Sequence, residues 1–189
     1  MKKLLLAALL ALALVAVGVT VAAARGGNGN GGKHLNGELD GFQEVPSIST
    51  SAEGRIKVKL NGSSIRYKLK YRGFAAGNDV LFAHIHLGQE ATNGGVAAFL
   101  CGGGGKPACP QGSGEVSGTI VAGDVQAIPA QGLAASDIEA LIRAIKAGAT
   151  YANVHTDNFG SGEIRGQIGD DDDDDRHRGK KKGRGHDDD

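Results

Sequence analysis

From Arg55 to Arg72 the chain alternates, residue by residue, between apolar and cationic side chains, with one interruption. Ile56, Val58 and Leu60 take turns with Arg55, Lys57 and Lys59; beyond Asn61-Gly62-Ser63-Ser64, Ile65, Tyr67, Leu69 and Tyr71 take turns with Arg66, Lys68, Lys70 and Arg72. A period of two sends successive side chains to opposite faces of a strand, a pattern that a helix scrambles. Two such runs around an Asn-Gly turn predict an antiparallel hairpin with one buried and one cationic face.

Shorter apolar runs repeat the theme. Strands are expected over residues 35–39, 82–87, 96–100, 114–121, 150–156 and 162–168, with Pro46 confining its own segment to a turn or edge. Glycine is abundant, at 32 residues, and tryptophan is absent, as suits many short strands joined by tight turns. One stretch changes period. Ile138, Leu141, Ile142 and Ile145 follow the spacing of a helix, with Ser136 as its expected N-cap, Glu139 completing a capping box and Gly148 as the stop.

Both ends of the chain read as extraneous to this fold. Met1-Lys2-Lys3 precedes an apolar run over residues 4–24 that ends in Ala22-Ala23-Ala24, the charge pattern and small-residue exit of a signal peptide cleaved after Ala24. The run is long enough to cross a bilayer, so an uncleaved anchor is the competing reading, and membrane contact is expected only through this segment. Either way the expected location is secreted, periplasmic or cell-surface. Residues 25–34 read as a flexible Gly/Asn linker, and residues 170–189, which alternate Asp and Lys/Arg blocks, as a disordered charged tail. In an exported chain, Cys101 and Cys109, the two cysteines, most simply form a disulfide around a small loop.

Residues 82–88 carry the chemical question. His84 and His86 stand two apart in a strand-like run and so share a face, and His155 occupies a similar setting in residues 151–156. Converging, the three would hold a mononuclear Cu or Zn ion, since imidazole suits both metals. Diverging, they would be neutral core histidines bonded to backbone, to Glu163 or to Asp157. Glu163 and Arg165 share a face and are expected to pair. The cations Arg55, Lys57, Lys59, Arg66, Lys68, Lys70 and Arg72 are either a solvated strand face or a polyanion-binding surface for an anionic surface polymer. No aromatic side chain shares their face, since Tyr67 and Tyr71 fall on the apolar one, and export also argues against nucleic acid.

Several separate motifs together resemble one family. Glu44-Val45-Pro46 with Thr50, Ala52 and Gly54, Ala83-His84-Ile85-His86 with Gly88 and Asn93-Gly94, residues 151–156, and Gly162 to Ile168 are similar to the CHRD (chordin-type) domain, here over residues 35–169. The resemblance implies an all-β fold, an immunoglobulin-like antiparallel β-sandwich or barrel, to which the spacing at residues 138–145 adds one short helix. Animal members are associated with binding bone morphogenetic proteins, a role not carried over to a single exported domain. The His-x-His strand followed by a Val-His strand is also similar to the copper ligands of Cu,Zn superoxide dismutases, which implies His84, His86 and His155 as ligands. With no histidine between His86 and His155, the bridging and zinc-loop ligands have no counterpart. The expected functions are therefore a noncatalytic binding module for a surface polymer or another exported protein, a mononuclear Cu or Zn protein with or without redox activity, or a structural cell-envelope protein.

Overall fold

The computed structural model describes residues 32–170. The signal or anchor segment, most of the linker and all but the first residue of the charged tail lie outside the described residues.

Eight strands form one sheet in which every neighbour is antiparallel. They are β1 (His34–Asp40), β2 (Glu53–Asn61), β3 (Ser64–Arg72), β4 (Val80–Leu87), β5 (Gly95–Cys101), β6 (Gly114–Ile120), β7 (Thr150–Thr156) and β8 (Ile164–Gln167). Their order is β5-β4-β7-β8-β1-β2-β3-β6. The sheet curls into a nearly closed barrel or sandwich around a single core. Near the edge strands β5 and β6, Tyr67 Oη on the neighbouring β3 donates to Leu100 O on β5 at 2.7 Å, and Lys106 Nζ, in the loop after β5, donates to Thr119 O on β6 at 2.9 Å. The fold is all-β with one short helix, as the strand pattern predicts.

The hairpin is β2 and β3. Ile56 lies opposite Leu69, Val58 opposite Tyr67 and Leu60 opposite Ile65, and all six are buried. The strands run on through Asn61 and Ser64, so the turn is shorter than expected; Gly62 takes φ +54° there, a conformation that β-carbons disfavour.

The helix α1 (Ile138–Lys146) buries Ile138, Leu141, Ile142 and Ile145 in the same core. Its N-cap departs from expectation by one residue. Asp137 accepts from Ala140 N at 2.8 Å, while Ser136 sits at φ +64° ahead of the helix, where it cannot form the capping box. β1 opens at His34, inside the stretch read as linker, and Lys33 O already accepts from Leu60 N. No helix among the described residues is long and apolar enough to cross a membrane.

Candidate metal centre

Strand register assembles the site. β4 and β7 pair with His84 opposite Asn153, His86 opposite Tyr151 and Phe82 opposite His155. Ala83, Ile85, Ala152 and Val154 alternate into the core, which turns the three histidines to the sheet's other face. Loops cover that face, so each histidine keeps only 7 % of its surface. One ring nitrogen from each lies within 4.8 Å of the others, and His84 Nδ1 is 3.1 Å from His155 Nε2. The rings converge.

Their outer nitrogens set the tautomers. His86 Nδ1 lies 3.0 Å from Gly94 O and His155 Nδ1 lies 3.1 Å from Gly160 O. A carbonyl only accepts, so both Nδ1 atoms carry the proton and both Nε2 atoms present lone pairs. His84 Nδ1 then donates to His155 Nε2. This leaves His84 Nε2 and His86 Nε2 buried without a hydrogen-bond partner among the described residues. A buried acceptor left unmatched costs about 1–3 kcal/mol, which a bound cation would offset. Burial holds all three imidazoles neutral at pH 7: it pushes His84 down to about 3 and His86 to about 4, helped by the neighbouring ring charges, and lowers His155. Neutral imidazole is the form that ligates.

The walls are aromatic. Phe82 stacks on His84 with centroids 5.8 Å apart, and Phe99 meets the same ring edge-on at 4.4 Å. Tyr151 lies parallel to His86 at 4.8 Å, and its hydroxyl accepts from Gly94 N. Gly94 thus ties down both His86 and the ring stacked on it. Arg165 anchors the same loop, donating to Thr92 O at 3.0 Å and Asn93 Oδ1 at 3.2 Å, with its guanidinium 4.6 Å from the Tyr151 centroid. Asn153 donates to Glu44 Oε1 at 2.8 Å. Burial raises that carboxyl to about 7, against the opposing pull of the Arg165 charge.

Other expected contacts resolve differently. Glu163 does not pair with Arg165, and no histidine bonds to it or to Asp157 among the described residues; its carboxylate instead accepts from Thr50 Oγ1, Asn78 Nδ2 and Thr156 Oγ1 at 2.6–2.7 Å. β8 begins only at Ile164, so Glu163 stands outside the alternation that the pairing assumed. Cys101 and Cys109 form the expected disulfide, with Cα atoms 5.1 Å apart. Tyr151, Gly94 and Phe99 escaped the sequence reading, although Tyr151, Asn153 and His155 alternate along one strand and so share a face.

The cationic face is partly neutralised. Arg55 pairs with Glu38, Arg72 with Glu53, and Lys68 and Lys70 share Glu115 at 2.6 and 2.8 Å. A groove of about 670 Å³ on this side is lined by those three carboxylates as well as by Arg55, Lys70 and Arg72. Lys57 and Lys59 lie directly opposite Lys68 and Arg66.

Comparison with known families came to one finding: the model described as CHRD domain matches residues 35–168. No curated protein and no solved structure matches the chain.

Proposed function

Because this chain belongs to the CHRD family, a binding-type module, we propose that what it binds is a transition-metal ion, Cu or Zn, held by His84, His86 and His155. The observation that carries the reading is the arrangement of the three rings. Two outer nitrogens are fixed on backbone carbonyls, and ring nitrogens of all three converge within 4.8 Å. Outer partners of this kind set the tautomer and orientation of metal-bound histidines. Two buried nitrogens without a partner give the same face a reason to take up a cation. Three protein ligands leave a fourth position for water or another small molecule. No reaction is assigned to that position. The protein is read as a binding module, exported on the strength of residues 1–24.

Elemental analysis tests the reading. Protein exposed to Cu or Zn and then desalted should retain about one ion per chain, and a His84→Ala/His155→Ala variant that still folds should retain none. A wild-type protein that stays metal-free, with unchanged thermal stability in the presence of either ion, would sink it.

A second reading takes the cationic face as the contact for an anionic surface polymer or another exported protein. Its support is the pair of like-charged neighbours, Lys57 opposite Lys68 and Lys59 opposite Arg66, an arrangement that costs stability in a sheet. The carboxylates beside Arg55, Lys68, Lys70 and Arg72 narrow such a surface to Lys57, Lys59 and Arg66. A structural envelope role would need the amino-terminal segment to remain attached, and a cleaved amino terminus in the soluble exported fraction would remove it.

A further inference from the structure

We infer that the three-histidine centre favours a monovalent coinage-metal ion, Cu(I), over divalent ions; the inference rests on the metal reading above and specifies its ligand. The argument concerns charge. All three candidate ligands are neutral imidazoles, and each residue is only 7 % exposed. A divalent ion would bring two uncompensated charges into this site. The desolvation cost of an ion rises with the square of its charge, so a monovalent ion meets far less opposition.

The surroundings reinforce this. The outer nitrogens of His86 and His155 rest on the carbonyls of Gly94 and Gly160, where a carboxylate would have supplied negative charge and made the ring a stronger donor. Phe82, Phe99 and Tyr151 form the walls. Behind Tyr151, which is stacked on His86, lies the guanidinium of Arg165. That charge repels a divalent ion twice as strongly as a monovalent one. The two carboxylates buried among the described residues are directed elsewhere. Glu44 accepts from Asn153, and Glu163 is taken up by Thr50, Asn78 and Thr156. Coordination number points the same way: three imidazoles satisfy a monovalent d¹⁰ ion by themselves, whereas Zn(II) would have to fill its fourth position from water. Arg165 is then a positioning and selectivity residue, acting through Tyr151 and the Thr92–Gly94 loop.

Ag(I) and Zn(II) make a clean comparison, since both are closed-shell and differ in charge. Affinities for Ag(I) in chloride-free buffer, Cu(I) under anaerobic ascorbate and Zn(II) would be measured by chelator competition on the full chain and on Arg165→Gln and Arg165→Lys. The wild type should hold Cu(I) and Ag(I) more tightly than Zn(II). Lysine keeps the charge but not the fork of hydrogen bonds, so comparing Gln with Lys isolates the charge. Glutamine should raise Zn(II) affinity about tenfold and Ag(I) affinity about threefold relative to lysine, the two-to-one ratio in the logarithm that charge alone dictates. A wild type that binds Zn(II) as tightly as Cu(I) and Ag(I), or equal changes for both ions between Gln and Lys, would overturn the inference while leaving a metal site standing. Failure to bind any of the three ions would overturn the metal reading itself.

Discussion

His84 Nδ1 donates to His155 Nε2 across 3.1 Å, so two candidate ligands hold each other when no ion lies between them. This bond keeps the rings together without a metal. It must be given up when the ion enters, because the lone pair on His155 cannot serve both.

Metal binding should therefore register as stability. With Ag(I) or Zn(II) at one hundred times its dissociation constant, the folded state should gain about 2.7 kcal/mol, a rise in melting temperature of roughly 8–10 °C for a domain of this size. His155→Ala should abolish the shift. Calorimetric scans with and without the ion check this, and an equal shift in the variant would place the ion elsewhere.

Acid should destabilise the protein over a defined window. The folded imidazoles titrate below their ordinary value, His84 at about 3 and His86 at about 4, because burial opposes their charged form. Between pH 6.5 and those values the unfolded chain takes up protons that the folded chain refuses, so stability falls as pH falls. Glu44 acts in the opposite sense. Burial raises its folded value to about 7, so its contribution is full below about pH 4.5 and is lost as pH rises towards 7. Three imidazoles outweigh one carboxyl, and the urea midpoint should drop between pH 6.5 and 4.5. A flat or rising midpoint would contradict the burial described for the site.

Glu163 should prove costly to alter. It is 2 % exposed and accepts hydrogen bonds from Thr50, Asn78 and Thr156, which joins two distant loops to the end of β7. Glu163→Gln turns one acceptor atom into a donor facing other donors, and should cost about 1–3 kcal/mol in urea unfolding. The exposed Glu139→Gln should stay within about 0.5 kcal/mol.

Removing the disulfide by Cys101→Ser/Cys109→Ser should lower stability by about 2.5 kcal/mol, the chain-entropy value for a loop of this length. The loop also bears on the candidate metal site. Gly103 and Gly104 lie against the Phe99 ring, which meets His84 edge-on. Denaturant unfolding gives the stability change, and a loss below about 0.5 kcal/mol would mean that the loop closes without its covalent link.

Local periodicity made much of this fold legible. The alternation in β2 and β3 specifies their pairing almost to the residue, because a slip of one would turn Ile56, Leu69 and their neighbours to solvent. His84 and His86 were legible as a pair for the same reason. What joins them to His155 is the pairing of β4 with β7, strands some seventy residues apart, for which no local pattern exists. Phe99 and Gly94 enter through strand and loop contacts equally remote in sequence. At Ser136 and Glu163 local rules misled: the first lost the cap to an adjacent aspartate, and the second stands one residue ahead of the strand to which alternation assigned it.

The edges of the described domain meet. Asn36 and Gly169 bond backbone to backbone in both directions, and Lys33 pairs with Asp170 at 2.7 Å. Tension along a longer chain would first work on this short clasp, parting β1 from β8 one bond at a time, while the β4–β7 scaffold under the histidines stayed unstrained. The same closeness would let the domain be spliced into a surface loop of another protein without spreading the loop's two ends.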